Sequence, residues 1–241
     1  MNRRRAWYLA LAAVAFIPVF VAPVAAQGGY DSVTEELIRG LNSELMWVAI
    51  PITVLVEGIL IYTVWKFRNN DDPKPTKENR RLEITWTVAT AIVLLFVGVA
   101  SYQVLGNPFV AADSTQQIDS EQEPLNVTVE AFRYNWQFNY EDANVSTGDA
   151  LVLPSDRPVR LQITSRDWLH AFHVPALGLK QDAFPNKTNT IMTQINPSAE
   201  GNTYMLYCAE YCGSGHSQML STVEVKSQGE FETWLDEQQS E

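Results

Sequence analysis

The 241 residues predict a two-helix transmembrane hairpin followed by an all-β Greek-key sandwich, and three observations carry that reading. Two apolar stretches of more than twenty residues lie in the first half, at 43–66 and 82–105. Short runs rich in β-branched and aromatic residues recur through the second half. Residues 208–219 gather two cysteines, a histidine and a methionine, a set of soft ligands.

At the N-terminus, Arg3, Arg4 and Arg5 precede an apolar run, and Val24, Ala25 and Ala26 place small residues before Gln27. This is the pattern of a cleaved signal peptide over 1–26, with an uncleaved membrane anchor as the alternative. Residues 27–42 follow as an outer N-terminal segment. The hairpin occupies 43–105. At about 1.5 Å per residue each apolar stretch spans a hydrocarbon core of about 30 Å. The connecting loop, 67–81, and its flanks hold Lys66, Arg68, Lys74, Lys77, Arg80 and Arg81 against Asp71, Asp72 and Glu78. Such Lys/Arg enrichment marks the cytoplasmic side, so everything after Leu105 is placed outside. Pro51 and Gly58 fall inside the first span, where neighbouring segments can satisfy the backbone. Glu57 also lies there; a bare charge at that depth costs about 2.5–3.5 kcal/mol, so it is expected to face a partner subunit or to be protonated.

Residues 106–123 turn polar and acidic and read as a linker. A sandwich core is assigned to 124–226, with strands expected at 125–132, 134–140, 150–153, 159–164, 171–174, 190–195, 203–208 and 219–225. About a hundred residues suffice for one such core. Residues 227–241 read as an acidic tail, in which 229–241 are expected to form a short exposed helix. From Gly106 onward there are 19 acidic and 7 basic residues, a formal net charge of −12. That balance would steer a cationic partner, or would suit a protein living at high salt, where steering fails. There is no internal repeat, Gly-rich phosphate loop or basic patch for nucleic acid.

Cys208, Cys212, His216 and Met219 select copper or zinc over magnesium or calcium, and a thioether is a familiar weak ligand for copper but a poor one for zinc. A mononuclear blue-copper site needs one cysteine, so the second calls for two thiolates bridging a copper pair, a zinc or iron site, or a disulfide. A bridge across so short a loop gains little chain entropy and leaves the histidine and methionine unexplained. Only His170, His173 and His216 can supply imidazole.

The segment 208–219, the run Asp167, Trp168, Leu169, His170 with the residues to Lys180, and the stretch Glu78 to Thr87 together resemble subunit II of the haem-copper cytochrome c oxidases, over about residues 40–225. The resemblance implies a cupredoxin-like sandwich holding the dinuclear copper centre CuA. Cys208 and Cys212 would bridge both coppers, His170 and Met219 would complete one ion, and His216 with the Glu210 carbonyl the other. His170 is the ligand by the family pattern, and His173 a neighbour without a metal bond. The Glu210 side chain would help bind magnesium at the contact with subunit I. Glu83 matches a position that opens a proton path into subunit I; its structural alternative is a carboxylate at a helix start. Ala89 and Thr90 stand where an Ile-Pro pair is common, so the usual kink is expected to be absent. Tyr134 takes the place of a tryptophan expected at the docking surface, two residues before Trp136, and both are candidates for electron uptake.

The implied role is an electron-accepting subunit in the plasma membrane, with its copper domain on the outer face. It would receive electrons from cytochrome c or a small blue-copper protein, and no oxygen-reducing site would lie on this chain. The alternatives are a copper subunit of a nitric oxide reductase and a membrane-anchored copper-binding or assembly protein.

Overall fold

The computed structural model describes residues 29–111 and 122–240; the signal-peptide expectation and most of the linker fall outside them. Helix α1 spans Val33–Phe67 and helix α2 spans Arg80–Leu105. Both are long and apolar enough to cross a membrane. Helix α1 starts ten residues before the expected span. Hydropathy reports only the lipid-facing part, whereas the helix start is set by its cap. The Ser32 side chain accepts from the Glu35 N–H at 3.0 Å, and Glu35 and Glu36 complement the helix dipole. At 35 residues, α1 is about 52 Å long, so its polar first turns extend beyond a core of about 30 Å.

Within the hairpin, hydroxyls that lipid could not satisfy turn back on their own helix. Thr53 donates to the Ala49 carbonyl at 2.9 Å, Thr63 to Ile59 at 2.7 Å and Thr90 to Trp86 at 2.7 Å. Helix α2 runs unbroken through Ala89 and Thr90. Glu57 and Glu83 both lie on exposed helix surface.

The second half folds into two five-stranded sheets. One contains β1 (Leu125–Phe132), β2 (Asn135–Tyr140), β3 (Val145–Thr147), β5 (Pro158–Ser165) and β8 (Asn189–Gln194), in the order β3-β2-β1-β5-β8. The other contains β4 (Ala150–Pro154), β6 (His170–Val174), β7 (Leu179–Ala183), β9 (Thr203–Cys208) and β10 (Leu220–Lys226), in the order β4-β10-β9-β6-β7. Pairing is antiparallel except for β1 with β5 and β10 with β4, because the chain repeatedly changes sheet. This is the cupredoxin-like sandwich that the sequence predicts.

Alternation places Val127, Val129, Phe138, Leu161 and Ile163 inside, against Leu151, Leu153, Phe172, Leu206 and Val223 of the facing sheet. Tyr140 locks one sheet to the other: its hydroxyl donates to the Val152 carbonyl and accepts from the Val152 N–H, both at 2.8 Å.

Strands β3 and β7 were absent from the expectation. Both are edge strands; β7 turns Lys180 outward and buries Leu179 and Ala183, so charge masks a short apolar signal. The C-terminal helix α3 (Gln228–Ser240) is also not simply exposed. Phe231 is fully buried, and the Trp234 ring meets Tyr140 at 5.1 Å, so one face of an acidic helix closes the sandwich.

The segment ahead of α1 is clamped to the sandwich. Ser32 donates to the Leu177 carbonyl at 2.8 Å, Thr34 donates to the Phe109 carbonyl at 3.0 Å, and Asn196 donates from its backbone to Asp31 and from its side chain to Tyr30. Gly178 makes this approach possible: it sits at φ +67°, and a Cβ there would lie 3.1 Å from the Glu35 backbone.

Candidate metal centre

Five loops lie at one end of the sandwich, β1–β2, β3–β4, β5–β6, β7–β8 and β9–β10. Strand β6 starts there with His170, and β9 ends there with Cys208. The long β9–β10 loop is held at both ends, by Ala209 N–H to the Ala171 carbonyl at 2.9 Å and Cys208 N–H to the Met219 carbonyl at 3.1 Å. Inside it a 3-10 turn at His216–Gln218 brings His216 and Met219 back over the cysteines.

The thiols of Cys208 and Cys212 are free and lie 4.0 Å apart. His170 Nδ1 is 3.8 Å from Cys208 Sγ, and His216 Nδ1 is 3.6 Å from Cys212 Sγ. Met219 Sδ is 3.8 Å from Cys212 Sγ, and the Glu210 carbonyl accepts from Cys208 Sγ at 3.1 Å. The ligand atoms of His170, Cys208 and Cys212 all fall within 4.8 Å of one another. His170, Cys208, Cys212 and Met219 are buried.

This donor set fits a soft metal. With metal–sulfur bonds of about 2.3 Å, two sulfurs sharing an ion can stand at most about 4.6 Å apart, and the observed spacing falls inside that limit. A disulfide would bring the sulfurs to about 2.05 Å, and no such bond is present. Burial raises the Cys212 thiol to about 11, and the adjacent Cys208 adds to the effect. Two thiolates this close need a positive charge between them.

The carboxylate of Asp167 orients His170. Its Oδ1 lies 3.0 Å from His170 Nε2, leaving Nδ1 directed at the thiols. The same carboxylate accepts from the Trp168 N–H at 2.7 Å and the Arg133 N–H at 3.0 Å. Burial pushes Asp167 upward, but the His170 contact and these donors outweigh it and hold its carboxyl below the usual range. The spacing of Asp167 to His170, three residues, was visible in sequence, but a turn that closes carboxylate onto imidazole was not.

His173 stands apart. Successive strand residues face opposite sides, so His170 and Phe172 point one way while His173 points outward, its ring 4.9 Å from Tyr207. Burial and then Lys180 lower its pKa.

Tyr134 covers the ligand loop. A Cβ on Gly213 would fall 2.6 Å from the Tyr134 hydroxyl and one on Gly215 2.5 Å from its ring, so the two glycines let the ring lie on the backbone between Cys212 and His216. Gly213 also has φ +131°. The tyrosine hydroxyl is 3.4 Å from Ser214 Oγ. Trp136 is wholly buried, edge-on to Phe172 at 6.0 Å, and reaches no surface. The Glu210 side chain is exposed beside the centre, and Glu83 lies far away in the first turn of α2 behind the Asn79 cap.

Two family profiles match the chain: "Cytochrome C oxidase subunit II, transmembrane domain" over residues 27–104, and "Cytochrome C oxidase subunit II, periplasmic domain" over 137–226. The chain is 30% identical to cytochrome c oxidase subunit 2 of Synechocystis, over 88% of this chain and 74% of that protein. It is 31% identical to cytochrome c oxidase subunit 2 of Vanderwaltozyma polyspora, over 88% of this chain and 92% of that protein. Among solved structures, it is similar to the periplasmic domain of subunit II of cytochrome oxidase of Bradyrhizobium japonicum, with 24% identity, a TM-score of 0.46, and coverage of 50% of this chain and 96% of that one. With both its hairpin and its sandwich matched, the chain is a membrane protein of the cytochrome c oxidase subunit II family.

Proposed function

We propose that this chain is the electron-accepting subunit of a respiratory haem-copper oxidase, and that it holds the dinuclear copper centre CuA. The observation that supports this most directly is the convergence of three side-chain donors, His170, His216 and Met219, and the Glu210 carbonyl around two free thiols 4.0 Å apart. Cys208 and Cys212 would bridge the pair, with His170 and Met219 on one ion and His216 and the Glu210 carbonyl on the other. Bound there, copper supplies a one-electron couple. The protein's part is to keep that couple rigid and dry: Asp167 fixes the His170 ring, Tyr134 covers the ligand loop, and Phe172 and Trp136 fill the space beneath. Few atoms then need to move when an electron arrives.

In this reading electrons come one at a time from a soluble carrier, a cytochrome c or a small blue-copper protein, on the face that bears Tyr134, with Trp136 behind it. They leave for haem in subunit I, where oxygen is reduced; this chain carries no oxygen-reducing site. The exposed Glu210 carboxylate is suited to a magnesium ion shared with subunit I. Glu83, at the cytoplasmic start of α2, would stand at the mouth of a proton path, and Glu57 would pack against a partner helix. The copper domain lies outside the plasma membrane, an orientation supported by the basic loop between α1 and α2.

Metal analysis and EPR of the full-length protein test the proposal. Two coppers per chain and a signal split by both nuclei are expected. A single copper, or zinc, would end it.

A further inference from the structure

We propose that Asp167 is a positioning residue that lowers the reduction potential of the metal centre through His170, and that it acts on one side of the centre only. The proposal rests on the dinuclear copper reading above and deepens it. His170 is wholly buried, and Nε2, the ring nitrogen turned away from the thiols, lies 3.0 Å from Asp167 Oδ1. The carboxylate is held in place for this contact. The Trp168 N–H donates to Oδ1 at 2.7 Å and the Arg133 N–H to Oδ2 at 3.0 Å, so backbone from the β5–β6 and β1–β2 loops fixes both oxygens. An ionised carboxylate that accepts from an imidazole N–H raises the basicity of the ring and makes its other nitrogen a stronger ligand. A stronger ligand favours the more positive, oxidised state of a metal, and the potential falls.

His216 has no such partner. Its Nδ1 lies 3.6 Å from Cys212 Sγ, and among the described residues no carboxylate pairs with its ring. Its ring neighbour is Tyr211, with centroids 5.8 Å apart, on a residue that is 72% exposed. The two imidazoles of one centre therefore differ in donor strength. Thiolates shared by both ions cannot create that difference, because Cys208 and Cys212 would serve the two alike. The Asp167 side chain is 37% exposed, so solvent and salt weaken its direct field, and the hydrogen bond to the ring is the route that remains. In this arrangement His170 serves the ion that keeps the larger share of positive charge.

The test is redox titration of the copper-loaded full-length chain in detergent micelles, with the nitrogen couplings of the ligands read by EPR-based methods. Asp167→Asn removes the charge and keeps an acceptor oxygen. It is expected to favour the reduced state about tenfold, which is about 59 mV for a one-electron couple, and to change the nitrogen coupling of His170 while leaving that of His216 as it was. Asp182→Asn is the control: this exposed residue pairs in β7 with Ala171, next to His170, and carries the same charge, but is hydrogen-bonded to neither histidine. Its potential should stay close to that of the parent chain. An unmoved potential in Asp167→Asn, or an equal shift in Asp182→Asn, would overturn the proposal. Should Asp167→Asn hold no copper, Asp167→Glu decides: the charge stays and the longer side chain disturbs the hydrogen bond, so a shift in the same direction is expected and its absence is the contrary result. The two readings fail separately. A chain that loads one copper, or zinc, loses the dinuclear reading, yet imidazole NMR of the metal-free chain should still show His170 as the Nε2–H tautomer with slow proton exchange, both lost in Asp167→Asn. Two coppers with a potential indifferent to Asp167→Asn do the reverse.

Discussion

The hairpin and the sandwich use apolar residues in opposite ways. In the sandwich, side chains such as Phe138, Leu161 and Phe172 are sealed between two sheets, so its core is complete within one chain. In the hairpin, Leu94, Leu95 and Val54 are all more than 60% exposed, and among the described residues of α1 and α2 only Thr34 and Ala100 are buried. Helices apolar on every side have no core of their own to make; lipid and neighbouring subunits must provide it. The comparison teaches that the copper domain is built to keep its shape and the hairpin to be placed by its surroundings. The clamp of Ser32, Thr34 and Asn196 is where the two meet.

The comparison breaks most sharply at the thiols. On the two-copper reading proposed above, Cys212→Ser should abolish the centre, measured as copper per chain, while the metal-free protein stays folded by circular dichroism; loss of the fold instead would mean that the loop is part of the core. Next in size is packing. Phe138→Ala should destabilise the sandwich by about 3–5 kcal/mol in denaturant titrations, whereas Leu95→Ala, at 69% exposure, should change detergent-state stability by less than about 0.5 kcal/mol. Similar costs at both sites would show that the hairpin makes its own core.

A pH dependence follows from Cys212, raised to about 11 from 9.0 by burial and then by Cys208. Between those values the folded metal-free chain holds a proton that the unfolded chain has released. Stability is therefore retained below about pH 9 and lost as pH rises toward 11, and Cys212→Ser should flatten that slope. Copper loading should release protons and tighten as pH rises. A smaller effect than that of the core substitution is expected at the clamp: Ser32→Ala should cost about 1 kcal/mol through the lost cap of α1 and should loosen hydrogen exchange in its first turn without altering the metal site.

Much of this architecture was legible from local pattern. Hydropathy located both helices, and alternation located eight of the strands, because each signal repeats over several residues. Edge strands β3 and β7 were hidden by polar outer residues, and the early start of α1 was hidden because one serine, not hydropathy, sets it. The acidic C-terminal helix concealed Phe231, a single apolar anchor whose burial depends on where the sandwich lies.

The sequence by itself determined the kinds of ligand available, their placement within twelve residues, and the membrane hairpin that carries them, because donor chemistry and hydropathy belong to residues. Only the tertiary structure shows why the histidine named by the family resemblance is the one that meets the thiols: His170 and His173 leave opposite faces of β6. It also decided that Asp167 ties Trp168 and Arg133 to that histidine. Those are relations between loops distant in the chain, and no local pattern records them.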